Sequence, residues 1–200
     1  MSAHLEQPVG PLPLRRVPVR DFADAFTRRL LLHRGMTTEL LEHHIRCPLR
    51  VQVRTQTLSP SRTGDPRSSL PPHPAPAPPW LVRRTELVTP EGTVVSRNVV
   101  TGRLPRNGEL VNAVTGRLLP LGRAVAATGV AHRRNRLTSG LSDWPGPRGA
   151  LPAVTRGYLL HMDGESPLHV EETFNPAVVS TGQRSGSAHA GEQRLLGTTP

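Results

Sequence analysis

Two adjacent glutamates near the end of the chain are the first candidates for acid–base chemistry, because one of them is expected to be buried. Glu171 and Glu172 follow two apolar runs, residues 158–162 and 167–170, which flank the sequence Asp-Gly-Glu-Ser at 163–166. Asp-Gly between apolar runs predicts a tight β-hairpin. Because side chains alternate along a strand, the two glutamates lie on opposite faces, and one of them points inward.

Glu172 is the glutamate predicted to be buried, because it shares a face of the strand with Val170 and Phe174. A carboxyl group among apolar side chains has a raised pKa and suits a proton-transfer role. A structural glutamate held in an ion pair has the same pattern. The spacing alone leaves both interpretations open.

An arginine in the middle of the chain is the second candidate. Arg84 aligns with Trp80 and Val82 on one face of a predicted strand. A buried arginine requires a partner, either a carboxylate of the same protein or an anionic ligand. The structural alternatives are a pair with Glu86 or a side chain that extends to the surface.

The sequence Pro120-Leu121-Gly122 predicts the start of a short helix, where proline is tolerated. The first backbone N–H groups of a helix have no carbonyl partner within it and lie at its positive end. This segment therefore indicates a site for a carboxylate or an oxyanion. A helix start whose N–H groups are simply solvated is the alternative.

The composition excludes several classes of chemistry. All 25 basic residues are arginines, and the 200-residue chain contains no lysine. A Schiff-base lysine, a pyridoxal phosphate anchor and a Walker-type phosphate loop are therefore excluded. Cys47 is the single cysteine, which excludes disulfides within the chain and thiolate metal clusters and fits a reducing compartment.

The composition also bears on partners. The net charge of +10 indicates an anionic partner, but the arginines are scattered and aromatic residues make up 3% of the chain, which disfavours nucleic-acid binding. No apolar run reaches the roughly 18 residues that a membrane helix needs. We expect a cytoplasmic monomer whose partner is a small molecule, and neither nucleic acid nor a membrane.

Hydrophobic periodicity predicts an α+β fold on an antiparallel sheet of about six strands. Strands, mostly joined as hairpins, are predicted at 48–58, 80–89, 93–101, 130–138, 158–162 and 167–174. Helices are predicted at 21–35, at 37–44 and after Pro120, with a helical turn at 109–114. Asp21 is the expected N-cap of the first helix, and Thr37 or Thr38 that of the second.

A single domain is predicted at residues 18–178. The lead-in at 1–17 and the tail at 179–200 are predicted to be disordered. Residues 59–79 are rich in proline and are interpreted as a surface loop or a flap over a site. Residues 143–149 are predicted to be a turn-rich connection before the last hairpin.

Separated fragments resemble, in order and spacing, the chorismate lyase (chorismate pyruvate-lyase) family. They are Leu-Leu-Leu-His-Arg-Gly-Met-Thr at 30–37, Trp-Leu-Val-Arg-Arg-Thr-Glu-Leu at 80–87, Pro-Leu-Gly-Arg at 120–123, and the stretch from Gly164 to Glu-Thr-Phe-Asn-Pro at 172–176. The likeness spans residues 22–176. It implies a six-stranded antiparallel sheet with helices that enclose a buried ligand cavity. The implied reaction removes pyruvate from chorismate to leave 4-hydroxybenzoate, without metal or organic cofactor.

The resemblance also implies roles for individual residues. Arg84 resembles the arginine that binds the ring carboxylate, with Arg83 as the competing choice of register. Glu172 matches the acid near the para oxygen, and its apolar setting is expected to raise its pKa toward neutrality. Met36 and Leu121 match residues that contact the ligand through backbone N–H groups.

Two other functions fit the same residues. A relative that forms another product from chorismate, or that acts on an aminated analogue, would keep the same arginine and glutamate. A non-catalytic sensor of small aromatic acids is the second hypothesis, because this kind of fold resembles the effector-binding domain of some bacterial transcription regulators. Such a sensor is expected to act through a partner.

Overall fold

The structure, a computed structural model, describes residues 14–60 and 78–184. The predictions made for residues 1–13, 61–77 and 185–200, which include most of the proline-rich loop, lie outside the described residues. Within the described ranges the chain forms four α-helices, one 3₁₀ turn and seven strands.

The elements follow one another in a regular order along the chain. The helical elements are the 3₁₀ turn Val19–Asp21, α1 Ala25–Leu32, α2 Thr37–Ile45, α3 Gly108–Thr115 and α4 Leu121–Ala127. The strands are β1 Arg15–Arg16, β2 Arg50–Ser59, β3 Trp80–Val88, β4 Val94–Arg103, β5 His132–Gly146, β6 Gly149–Met162 and β7 Leu168–Phe174.

All strands belong to one antiparallel sheet in the order β1-β5-β6-β7-β4-β3-β2. The predicted α+β class and antiparallel sheet are confirmed, as are the β3–β4 and β6–β7 hairpins. The sheet has seven strands rather than six, because the short β1 adds to the edge of β5.

The fold extends beyond both predicted domain boundaries. Residues 14–17 lie in the predicted lead-in, yet β1 pairs with β5 and Val17 is buried. At the other end Val179 is fully buried, and Gln183 forms a β-bridge with Phe22. The two ends of the described chain therefore meet against the same part of the core.

The first helix is shorter than predicted. Asp24, not Asp21, is its N-cap, and the Asp24 carboxylate accepts a 2.6 Å hydrogen bond from the backbone N–H of Thr27. Asp21 lies in the preceding 3₁₀ turn. α2 begins at Thr37 as predicted, but neither threonine caps it, because Met36 occupies the N-cap position without a side-chain hydrogen bond.

The predicted connection at 143–149 is mostly strand. β5 continues through Trp144 to Gly146, and the turn to β6 consists of Pro147 and Arg148 alone. Gly149 has a φ of +118°, which side chains disfavour. Glycine at this position therefore permits a two-residue turn, which is shorter than the connection predicted from the prolines and glycines of this segment.

The helices cover one face of the sheet from its two ends. α1 and α2 pack on one core cluster, which includes Leu87 and Phe174. α3 and α4 pack on a second cluster, which includes Val100 and Leu160. The candidate site lies between these two clusters.

Candidate functional site

A cavity lies over the sheet where the starts of α2 and α4 approach each other. Its walls come from these two helix starts and from strands β2 to β7, and they include Met36, Arg83, Leu121, Arg134, Tyr158 and Glu172. Its free volume of about 40 Å³ suffices for a few water molecules. An aromatic acid therefore requires the lining side chains to move.

Glu172 is buried in this cavity, as predicted, with 7% of its surface exposed, whereas Glu171 is exposed. Its carboxylate accepts a 2.7 Å hydrogen bond from Nε of Arg156. The hydroxyls of Thr37 and Tyr158 each donate to Oε1 at 3.2 Å. Both oxygens of the carboxylate thus accept hydrogen bonds.

Arg156 is the residue that organises this arrangement. It is 3% exposed, and its Nη2 lies 2.7 Å from Oε2 of Glu172. The same nitrogen donates to the Thr37 hydroxyl at 2.5 Å, and Nη1 donates to the backbone carbonyls of Leu30 and His33. Arg156 therefore connects the end of α1 and the start of α2 to the sheet.

The pKa of Glu172 differs from the raised value expected for a carboxyl group among apolar side chains. Burial alone raises the pKa of this carboxyl. The charges of Arg156 and Arg134, with hydrogen bonds from Arg156 and Thr37, outweigh burial and lower the pKa below its usual value. The predicted raised pKa is therefore wrong, because arginine side chains lie beside the carboxylate in a cavity whose other walls are largely apolar.

Tyr158 completes the hydrogen bonding of Glu172. Burial, followed by the negative charge of Glu172, raises the pKa of the Tyr158 phenol far above its usual value. The phenol therefore stays protonated and remains a donor to the carboxylate at neutral pH.

Arg83 is a buried cation without a carboxylate partner among the described residues. It is 2% exposed and lines the cavity. Its guanidinium donates to Oε1 of Gln56 at 2.7 Å and to the carbonyl of Gly116 at 2.6 Å, both neutral acceptors. Burial and then repulsion by Arg117 lower the Arg83 pKa. A buried cation of this kind is stabilised by an anionic partner, so Arg83 is the candidate residue for binding an anionic ligand.

The prediction that Arg84 faces the cavity is wrong. Arg84 is exposed, and it pairs across the sheet with Val99, which in turn pairs with Glu171. Residues paired in this way share a face, so Arg84 lies on the outer face together with the exposed glutamate. Arg83, the competing choice of register, is the arginine in the cavity.

Met36 and Leu121, which the resemblance assigns to the ligand site, both line the cavity at helix starts. Met36 is the N-cap residue of α2, and Leu121 is the first residue of α4 after Pro120. The two starts lie close together, because a Cβ added to Gly122 would be 3.9 Å from Cγ of Met36. Contact of their N–H groups with a ligand stays a prediction.

Three residues of the site were not singled out from the sequence. The position of Arg156 could have been predicted from the hairpin, because Arg156 and Glu172 are each eight residues from Gly164 and are paired in it. Tyr158 shares the inner face of β6 with Arg156, and this too follows from the hairpin register. Nothing in the sequence distinguished Arg134, because it lies in a polar strand between two other arginines, Arg133 and Arg136.

No group of three or more histidine, cysteine, aspartate or glutamate side chains in residues 14–60 and 78–184 is arranged to hold a metal ion. None of the helices described there has the length and apolar character required to cross a membrane.

Chemically, the cavity combines an ionised acid with a buried cation that forms no ion pair with a carboxylate of the described residues. Glu172 in this state accepts a proton or a hydrogen bond, and the Arg83 guanidinium can donate N–H groups to an anion. The chain as a whole matches no known protein-family model, and no curated protein matches it significantly. The resemblance to chorismate lyases therefore rests on the short fragments at residues 30–37, 80–87, 120–123 and 164–176.

Proposed function

We propose that this protein is a cofactor-independent lyase that removes pyruvate from chorismate to give 4-hydroxybenzoate or a closely related aromatic acid. The observation that supports this function most directly is the convergence of Met36, Leu121 and Glu172 in one cavity. These residues come from three of the separated fragments that carry the resemblance. The fourth fragment contributes a buried arginine to the same cavity, Arg83.

Arg83 is the proposed ligand for the ring carboxylate. A planar guanidinium matches a carboxylate with two parallel hydrogen bonds, and a buried site strengthens such a contact. Among residues 14–60 and 78–184, Arg83 donates to two neutral acceptors, the Gln56 amide oxygen and the Gly116 carbonyl. A carboxylate ligand would add a charged acceptor to this buried cation, which favours binding.

The proposed reaction is an elimination. The ether C–O bond between the ring and the enolpyruvyl group breaks, and the ring carbon that bears the hydroxyl loses its proton, so the ring becomes aromatic. The leaving enolpyruvate takes up a proton and becomes pyruvate. Because its pKa is lowered, Glu172 is ionised, and it is better suited to accept the ring proton than to donate a proton to enolpyruvate.

The position of Glu172 is constrained by its neighbours. Arg156 holds one carboxylate oxygen, while Thr37 and Tyr158 donate to the other. A base held in this way loses little entropy when the substrate arrives. Its bond to Arg156 has the opposite effect on reactivity, because an ion pair makes the carboxylate a weaker base.

The experiment is incubation of the folded protein with chorismate, with pyruvate and the aromatic product followed separately. We expect equal amounts of pyruvate and 4-hydroxybenzoate, released faster than in a buffer control. The Glu171→Gln variant serves as a matched positive control, since this glutamate is exposed on the other face. A folded sample without turnover above the buffer control would refute the lyase.

A second candidate function is a sensor of aromatic acids without catalysis. The Arg156–Glu172 ion pair favours it, because a fully paired carboxylate is less available for proton transfer. A sensor binds 4-hydroxybenzoate or chorismate in a calorimeter and returns the chorismate unchanged. A lyase instead converts the chorismate to pyruvate and the aromatic acid under the same conditions.

A further inference from the structure

Arg134 lies at the border between the cavity and a larger cleft outside it. This outer cleft is bounded by His33, Arg34, Asn135 and Arg136, together with Arg134 and Tyr158, and its volume is about 450 Å³. Arg134 and Tyr158 line both spaces. The side chain of Arg134 therefore lies between the cavity and the outer cleft.

Within the part of the chain that the structure describes, the Arg134 guanidinium contacts neutral groups. Nη1 donates to the carbonyl of Gly35, and Cζ lies 5.2 Å from the centre of the Tyr158 ring. Nη2 lies close to α4, where a Cβ added to Gly122 would be 2.7 Å away. No carboxylate of residues 14–60 and 78–184 forms an ion pair with it.

Arg83 and Arg134 approach the cavity from strands that are far apart in the sheet. β3 and β5 are separated by β4, β7 and β6, which is about 19 Å at the usual strand spacing of about 4.8 Å. Both cations point to the helix-covered face and line the same cavity. A ligand that carries two anionic groups on opposite sides of a small ring would match these two cations.

Building on the proposed function, we infer that Arg134 binds the second carboxylate of a dicarboxylate ligand, at the end of the cavity that faces the outer cleft. Arg83 then binds the ring carboxylate, and the ring lies between the two. To do this the Arg134 guanidinium leaves the Gly35 carbonyl and turns to the ligand. A neutral acceptor is thereby exchanged for a charged one, which makes a stronger hydrogen bond.

Binding of a carboxylate to Arg134 also changes the pKa of Glu172. The charge of Arg134 helps to hold the pKa of Glu172 below its usual value. A carboxylate bound to Arg134 neutralises that charge, so the pKa of Glu172 rises when the ligand binds. The second carboxylate thus makes Glu172 a stronger base at the moment the substrate is in place.

The test compares two stable ligands that differ in the second carboxylate: 4-hydroxybenzoate and 3-(carboxymethoxy)-4-hydroxybenzoate. Their dissociation constants are measured by calorimetry for the wild-type protein, for Arg134→Ala and for Arg136→Ala. Arg136 is the matched control, because it is exposed in the same outer cleft but does not line the cavity.

We expect Arg134→Ala to weaken the dicarboxylate by about 10- to 100-fold, the range of a charge-assisted hydrogen bond, and the monocarboxylate by less than about 3-fold. Arg136→Ala should change neither by more than about 3-fold. Equal effects of Arg134→Ala on both ligands, or none on either, would overturn the inference. So would a wild-type protein that binds neither ligand, and the proposed function would then fail with it. Selective loss of the dicarboxylate without any turnover of chorismate would instead leave the inference standing and remove the lyase.

Discussion

Arg83 and Arg84 are consecutive residues of β3, and their side chains lie on opposite faces of the sheet. Arg83 is 2% exposed inside the cavity, whereas Arg84 is exposed on the outer face. The register decides this, because Arg83 pairs with Val100, which lines the cavity, and Arg84 pairs with Val99. The two arginines are therefore a matched pair for experiments on ligand binding.

Removal of the Arg83 side chain should weaken carboxylate binding selectively. We expect Arg83→Ala to raise the dissociation constant of 4-hydroxybenzoate by at least about tenfold, since the ligand loses a charge-assisted contact. Arg84→Ala should leave it within about twofold, because an exposed side chain on the other face cannot reach the ligand. Calorimetry on the folded variants measures both, and the reverse order of effects would place the ligand elsewhere.

The adjacent glutamates provide a second matched pair, this time for catalysis. Glu172→Gln keeps the shape of the side chain but removes its ability to accept a proton. We expect pyruvate release to fall by about 10²- to 10⁴-fold, the usual contribution of a general base. Glu171→Gln should retain the wild-type rate. If Glu172→Gln were equally active, another group would have to accept the proton.

Much of the sheet could be predicted from turn chemistry and alternation. Asp163-Gly164 predicts the β6–β7 hairpin, and Val170 and Phe174 predict the face on which Glu172 is buried. Both predictions are confirmed, because a tight turn and a one-sided apolar pattern fix the register together.

The choice between neighbouring arginines could not be made in the same way. Apolar residues occur on both faces of β3, so a shift of one residue exchanges them. Trp80 favoured the wrong face: it lies at the end of the strand, and 44% of its surface is exposed. The ionisation of Glu172 was mispredicted for a related reason, since a local sequence does not include cations from β5 and β6.

Loss of Arg156 should destabilise the fold strongly. Arg156→Met leaves the buried Glu172 carboxylate without its ion pair, and we expect the free energy of unfolding to fall by about 3–5 kcal/mol. The double variant Arg156→Met/Glu172→Met removes both charges and should regain most of that loss. Urea unfolding of the wild type, both single variants and the double variant gives the coupling directly. A double variant as unstable as Arg156→Met would mean that the carbonyl and hydroxyl contacts of Arg156 matter more than its charge.

The lowered pKa of Glu172 predicts how stability depends on pH. A carboxyl whose pKa is lower in the folded than in the unfolded state stabilises the fold above the unfolded value of about 4.5. This contribution disappears as the pH falls below 4.5 and through the lower folded pKa. We therefore expect wild-type stability to fall more steeply with acidification than that of Glu172→Gln, with Glu171→Gln resembling the wild type. Denaturant unfolding at a series of pH values from 6 downward measures the slopes, and parallel curves for wild type and Glu172→Gln would contradict the lowered pKa.

Gly122 provides a test of the Arg134 site that leaves every charge in place. A Cβ at this position would lie 2.7 Å from Nη2 of Arg134, so in Gly122→Ala the end of that side chain must shift. Gly108, at the start of α3, is the control, because a Cβ there meets nothing within 4 Å. Both variants should be as stable as the wild type or more so, by up to about 1 kcal/mol, since alanine is the better helix former. Only Gly122→Ala should weaken 3-(carboxymethoxy)-4-hydroxybenzoate, by about 3- to 10-fold, because the added methyl group moves the end of the Arg134 side chain away from the position from which it turns to the ligand. Equal affinity of the two variants for this ligand would mean that the position of the Arg134 side chain next to α4 has no part in binding it.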